Sequence, residues 1–179
     1  MQYPDAMEQK DDKLPLPLFD ELTVNAYVDS DHAYDKVSRR SITRIIIFVG
    51  RTLVFALARR QGAIETSTYS AEFMAMKIVG EEVMSVRYML RCLGVKVARP
   101  TLILGGNRSV IMNATILSSL LKKKHMVISY HMTREATAAG ICRPLITNGK
   151  WNCSDICTKA QVKSEESCYY LGEWHDDII

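Results

Sequence analysis

Apolar and polar residues alternate in the segment that follows Glu21. From Leu22 to Val28 the apolar side chains occupy even positions, and polar side chains occupy most odd positions up to Asp29. A period of two is typical of a β-strand with one buried face. The pattern therefore predicts a strand that carries two carboxylates, Asp29 and Asp31, at or just beyond its C-terminal end.

Two runs rich in β-branched residues follow, at 42–49 and 52–57, and they flank the turn Gly50-Arg51. They predict a hairpin, which makes three strands in succession. Pro144 lies in a later strand, predicted at 141–147, and it predicts that this strand is an edge strand or contains a bulge. The later segments predict, in order, a strand at 101–104, a helical turn or two at 109–114, a helix at 117–139, a strand at 141–147 and a helix at 152–159.

One long amphipathic helix is predicted from Ser70 to Leu93, where apolar residues recur at steps of three and four. Thr68 or Ser70 can cap its start, and Gly94 can close its end. Glu72 is unusual because this spacing puts its carboxylate on the apolar stripe, where a buried charge needs a cation, hydrogen bonds or a metal. Taken alone, the simpler interpretation is a first-turn Glu that interacts with the helix dipole and reaches water. Asp29, at the end of its strand, is likewise most simply interpreted as a turn residue when it is taken alone.

The chain has 179 residues, of which 47% are hydrophobic, and this is enough for one ordinary domain with a single core. Residues 1–20 contain three prolines among polar and charged residues, so we expect an irregular leader or linker there. The single domain is expected at 21–160. The tail at 161–179 has no clear period and stays unassigned.

Charge, apolar stretches and cysteine content limit the classes of protein to which this chain can belong. A net charge of +3 tolerates a polyanionic partner without requiring one. No apolar stretch reaches the roughly 18 residues of a membrane span, and acidic residues precede any apolar run at the N-terminus, which is wrong for a secretory signal. We therefore expect an intracellular protein, cytoplasmic or nuclear. Five cysteines, an odd number without dense spacing, are expected to be free thiols.

Six short blocks, in this order, resemble the ribonuclease H domain in the reverse transcriptase/RNase H region of copia-type LTR retrotransposon polyproteins. The blocks are YVDSDH at 27–32, SRRS at 38–41, TSTYSAEF at 66–73, GNRS at 106–109, KH at 124–125 with YHMTRE at 130–135, and SDICTK at 154–159. Each block alone is weakly specific, and the specificity comes from their order. The resemblance covers roughly residues 25–160.

The resemblance implies an α/β, ribonuclease H-like fold: a five-stranded mixed sheet, its first three strands antiparallel, flanked by helices. It also implies an endonuclease that cuts the RNA strand of RNA–DNA hybrids with two magnesium ions held by four carboxylates. Magnesium prefers hard oxygen ligands in octahedral geometry. Three of the carboxylates carry over, as Asp29, Glu72 and Asp155. The fourth position of the motif is Gly106.

Glycine offers no oxygen ligand, so the resemblance implies that this chain is a degenerate copy with an incomplete metal site. Carboxylate charge offsets the repulsion between two dications, and its loss is expected to lower metal occupancy and impair cleavage. Asp31 or Asn107 could contribute through a water. The alternative function is a catalytically dead domain that binds nucleic acid or is merely a folded remnant.

A second departure from the family pattern is Arg44, where the resemblance implies a small residue, usually glycine. A long charged side chain within a strand is expected to need an exit to solvent.

Nucleic acid, in particular an RNA–DNA hybrid, is the expected partner; no membrane partner is expected, and a monomer is the default oligomeric state. The expected contacts are Arg39, Arg40, Asn107, Lys124, His125 and Arg134. Runs of charge are, however, more often simply solvated faces. A third possibility is a zinc-stabilised module, in which Cys153 and Cys157 join Cys142 or a histidine, although their spacing is unlike a zinc knuckle.

Overall fold

The computed structural model describes residues 3–116, 127–147 and 152–154. Its elements are β1 (Phe19–Glu21), β2 (Val24–Asp31), β3 (Ile42–Val49), β4 (Thr52–Arg60), α1 (Thr68–Cys92), β5 (Val95–Lys96), β6 (Thr101–Gly105), α2 (Arg108–Thr115), α3 (Val127–Ala138) and β7 (Cys142–Ile146). Among the helices of these ranges, none combines the length and apolar character needed to cross a membrane.

Five of the strands form a mixed sheet in the order β4-β3-β2-β6-β7. β2, β3 and β4 are antiparallel neighbours, whereas β6 runs parallel to both β2 and β7. This confirms the predicted fold class and the three antiparallel strands at its start. β7 is an edge strand, as Pro144 predicted, because proline has no N–H to donate to a further neighbour. The short parallel pair of β1 and β5 was not predicted.

The predicted amphipathic helix is α1, which begins two residues earlier than predicted, at Thr68. Ser67, in an extended conformation, is the N-cap instead of Thr68 or Ser70, and its side chain accepts a hydrogen bond from the Ser70 amide at 3.2 Å. Gly94 follows the C-cap with a φ of +74°, a conformation that glycine adopts without strain. Because the helix begins at Thr68, its first turn contains no acidic residue, and Glu72 lies just beyond that turn.

The core lies between α1 and one face of the sheet. Val28 of β2 and Ile45 of β3 are direct cross-strand neighbours, and both are fully buried with Phe73 and Val79 of α1. Successive side chains of a strand point to opposite faces. The odd-numbered residues of β2, including Asp29, therefore belong to the face opposite α1.

Glu8 anchors the N-terminal segment to α1 through two arginines. Its carboxylate accepts hydrogen bonds from Arg87 Nε and Nη2, both at 2.8 Å, and from Arg91 Nη1 at 2.7 Å. Arg87 is only 1% exposed and also donates to the Arg99 carbonyl at 2.7 Å. Burial of the Glu8 carboxyl raises its pKa, but the two guanidinium groups outweigh burial and lower it to about 2. No pattern along the chain indicated this contact. The division into leader, domain and tail stays a prediction.

Candidate active site

Asp29 and Gly106 lie at the same edge of the sheet, at the ends of two neighbouring parallel strands. Val28 of β2 pairs in register with Gly105, the last residue of β6, and Asp29 and Gly106 directly follow these two residues in the sequence. The Asp29 side chain is 23% exposed, and Gly106 is exposed. The carboxyl ends of adjacent parallel strands in an α/β sheet are a common place for ligand sites.

Arg44 occupies the space beside Asp29. The two residues are direct partners in the β2–β3 register, and Arg44 Nη1 lies 3.2 Å from Asp29 Oδ2. Its Nη2 lies 3.3 Å from Asp31 Oδ2. Arg44 is only 5% exposed, so the predicted exit of its side chain to solvent was wrong. Two carboxylates on its own sheet face compensate the buried charge instead.

Residues 152–154 pack against β2 close to Asp29. The Asn152 side chain donates to the Val28 carbonyl at 3.1 Å, and both Asn152 and Ser154 are buried. Cys153 hydrogen-bonds to Tyr27, on the same face of β2 as Asp29. Asp155 lies outside the described residues, as do residues 156–159 of the predicted terminal helix.

Glu72 lies in the second turn of α1 and is half-buried between two fully buried residues, Ala71 and Phe73. The simpler interpretation of this residue relied on the helix dipole, whose effect falls off within the first turn. The position of Glu72 beyond that turn weakens this interpretation.

The described residues do not by themselves fit a two-magnesium centre. They contain no group of three or more Asp, Glu, His or Cys side chains that could hold a metal ion. Gly106 has no ligand atom in its side chain, and the Asp29 carboxylate is paired with the Arg44 guanidinium. The remaining predicted ligand, Asp155, belongs to the part of the chain outside the description.

The residues predicted to contact nucleic acid differ in exposure and in the contacts that their side chains make. Arg39 is exposed in the connection between β2 and β3, with a φ of +56°, and Arg40 is half-buried. The Asn107 side chain caps α2, where it accepts hydrogen bonds from the amides of Ser109 and Val110 at 3.1 and 3.2 Å. Lys124 and His125 lie outside the described residues.

Arg134 is buried and hydrogen-bonded inside the protein, which contradicts its predicted role as a phosphate contact. It is 3% exposed, and its Nη1 donates to the Asn113 and Ile116 carbonyls at 3.1 and 2.9 Å. The same nitrogen donates to the Tyr130 hydroxyl at 2.8 Å, and the guanidinium lies 4.9 Å from the centre of that ring. A buried guanidinium joined to two helices in this way stabilises the fold.

Arg134→Ala is expected to lower the free energy of unfolding by about 2 kcal/mol, because it removes a buried side chain and its hydrogen bonds to the Asn113 and Ile116 carbonyls. Arg39→Gln, at an exposed arginine, is the control and is expected to change the unfolding free energy by less than about 0.5 kcal/mol. Chemical denaturation checks both values. Unchanged stability of Arg134→Ala together with weaker binding of an RNA–DNA hybrid would restore the phosphate-contact interpretation.

The cysteines give little support to the zinc alternative. Cys92, Cys142 and Cys153 are free thiols, as predicted, and Cys157 lies outside the described residues. Burial raises the pKa of the Cys142 thiol to about 11, which disfavours the thiolate that zinc binds.

Comparisons with known proteins agree with this architecture. No family model matches the chain. It is 26% identical over 142 residues to the retrovirus-related Pol polyprotein from transposon RE1 of Arabidopsis thaliana, a match that covers 77% of the chain and 9% of the polyprotein. The corresponding polyprotein from transposon RE2 is 24% identical over 142 residues, covering 77% of the chain and 10% of that protein. The chain thus spans about a tenth of the length of these relatives.

Among solved structures, the N-terminal RNase H domain of a Mycobacterium tuberculosis protein superposes with a TM-score of 0.54 at 12% identity, covering 74% of this chain and 86% of that one. An RNase H1 isolated from compost, in complex with an RNA/DNA hybrid, gives 0.56 at 10% identity, covering 73% of this chain and 88% of that one. The fold is therefore that of the RNase H-like class. The chain is thus similar in sequence to a part of two retrotransposon Pol polyproteins and has the fold of an RNase H domain.

Proposed function

We propose that this chain derives from a magnesium-dependent endonuclease of a copia-type retroelement, which cuts the RNA strand of RNA–DNA hybrids, and that its own cleavage is impaired. The observation that carries the proposal is the register of β2 and β6, which sets Gly106 next to Asp29 at the shared strand edge. In the family motif that position is an aspartate. A carboxylate missing from this edge removes charge that two dications need.

The proposed metal ligands are Asp29, Glu72 and Asp155. Asp29 is half-buried near the end of β2, whereas Glu72 is half-buried in the second turn of α1, the helix that packs on the other face of the sheet, so Glu72 is proposed from the family motif alone. Support for Asp155 comes from Asn152, three residues earlier, whose side chain bonds to the Val28 carbonyl beside Asp29. Magnesium bound by these residues would polarise a phosphate and activate a water, chemistry that the side chains alone do not supply.

An RNA–DNA hybrid is the proposed partner. The compost RNase H1 of similar fold was solved with such a hybrid, and exposed basic residues of this chain can contact a phosphate backbone. Arg39 and Arg40 lie in the connection that immediately follows Asp31, close to the sheet edge that carries Asp29. Nucleic-acid binding therefore does not depend on the missing carboxylate, and it forms the alternative function of a catalytically dead binding domain.

The test is a labelled hybrid duplex mixed with the full chain and magnesium, with binding followed by fluorescence anisotropy and cleavage by gel. We expect binding that weakens steeply with added salt, and cleavage no faster than that of the Asp29→Asn control. Rapid cleavage that Asp29→Asn abolishes would overturn the proposed impairment. Absence of binding at low salt would leave only a folded remnant.

A further inference from the structure

The Arg44 side chain bridges two acidic residues of the neighbouring strand. Asp29 and Asp31 are two positions apart on β2 and share one face, and Arg44 is the direct cross-strand neighbour of Asp29. Its two terminal nitrogens divide between the carboxylates, at 3.2 Å from Asp29 and 3.3 Å from Asp31. One positive charge thus serves two negative charges at the strand end.

Burial makes this arrangement hard to reverse. Arg44 is 5% exposed, whereas the side chains of Asp29 and Asp31 are 23% and 42% exposed. A guanidinium stays protonated at any physiological pH, so it cannot lose its charge when its surroundings change. A buried charge needs partners of opposite sign, and the described structure gives Arg44 these two carboxylates. Moving the guanidinium away from Asp29 would require another exit for a buried charge.

We propose that Arg44 is a built-in counter-cation of the carboxylate pair and excludes divalent metal ions from Asp29. The inference rests on the proposed function, because it takes Asp29 as a metal ligand. A dication that approaches Asp29 meets a positive charge about 3 Å from the carboxylate, and this charge already offsets part of the negative charge of Asp29 and Asp31. This obstacle is independent of Gly106, which lies on a different strand.

The experiment measures metal binding by the full chain without nucleic acid. Mn²⁺ replaces Mg²⁺ as the probe, because both prefer oxygen ligands and the paramagnetism of Mn²⁺ broadens nearby NMR signals. Calorimetric titration gives the affinity, and broadening of backbone amide signals around residue 29 gives the location. The variants are Arg44→Ala, Arg44→Lys and Arg143→Ala, the last removing an exposed arginine of β7 and thus the same net charge.

Arg44→Ala is expected to bind Mn²⁺ at least about tenfold more tightly than the native chain, with broadening centred on β2. Arg44→Lys, which keeps the charge, and Arg143→Ala are expected to stay within about twofold of native. Asp29→Asn added to Arg44→Ala is expected to remove the gain. Arg44→Met preserves the apolar part of the side chain and serves the same purpose if the alanine variant folds poorly.

The inference is overturned if the native chain binds Mn²⁺ at Asp29 as tightly as Arg44→Ala does, or if the gain survives Asp29→Asn. Such a result would leave Gly106 as the sole proposed cause of impaired cleavage. Conversely, a chain that fails to bind hybrid in the previous assay would refute the proposed partner without altering the outcome of the metal titration. The two failures are therefore distinguishable.

Discussion

Cleavage of a labelled RNA–DNA hybrid is expected to rise at least about 100-fold when Arg44→Ala and Gly106→Asp are combined in the full chain. The first change frees Asp29 from its guanidinium partner, and the second places a carboxylate at the end of β6. Each single variant is expected to recover much less, because a metal site needs all its ligands together and contributions of contacting residues are not additive. Rates are measured with magnesium under single-turnover conditions.

The fold is expected to accept the new aspartate. A Cβ at Gly106 would meet no atom within 4 Å, and this glycine is not among those with positive φ. Gly106→Asn in the same Arg44→Ala background is the matched control, since it has nearly the same shape without the charge. If the folded double variant remains as inactive as the asparagine control, the proposal that Gly106 and Arg44 impair cleavage is wrong.

The largest expected loss of stability follows from Glu8→Ala, which should lower the free energy of unfolding by about 3 kcal/mol at neutral pH. It removes the carboxylate that Arg87 and Arg91 share and leaves the nearly fully buried Arg87 with only neutral acceptors. Denaturant unfolding provides the measurement. Glu21→Gln is the control, because Glu21 pairs with the exposed Arg99 at 3.8 Å and such pairs contribute less than about 1 kcal/mol.

The contribution of Glu8 is also expected to depend on pH. Its pKa is lowered from 4.5 to about 2 in the folded chain, so folding favours the ionised form. The stabilisation is therefore complete above about pH 4.5 and is lost as the pH falls towards 2. The stability difference between the native chain and Glu8→Gln should shrink through this window. A difference that stays constant from neutral pH down to about pH 2 would contradict the ion-pair explanation.

Local patterns predicted most of the secondary structure correctly. The strand at 42–49 has the predicted bounds, because β-branched residues fill it and a turn follows directly. The long helix was predicted to within two residues at each end, since it is long and strongly periodic. Its cap was misplaced because the segment TSTYS offers several side chains that can accept the same hydrogen bond. The hydrophobic period of a segment determines whether it forms a helix or a strand, whereas the position of a helix end can depend on a single hydrogen bond.

Contacts between distant segments could not be read from the sequence. Glu8 and Arg87 are separated by 79 positions, and no periodicity links them. The sequence marked Arg44 as unusual, but its partner depends on the β2–β3 register, which the ten residues between those strands leave undetermined. Arg134 was predicted to contact a phosphate because it belongs to a block of the family resemblance, yet packing of α2 against α3 encloses it.

The open space around Gly106 also bears on the history of the gene. No described atom lies within 4 Å of the place that a Cβ would take at this position, so the neighbouring side chains need not move to admit one. Codons of the form GGY and GAY differ by a single base. The proposed loss of an aspartate at this position would thus require one point mutation, and its reversal would meet no steric barrier at the Cβ.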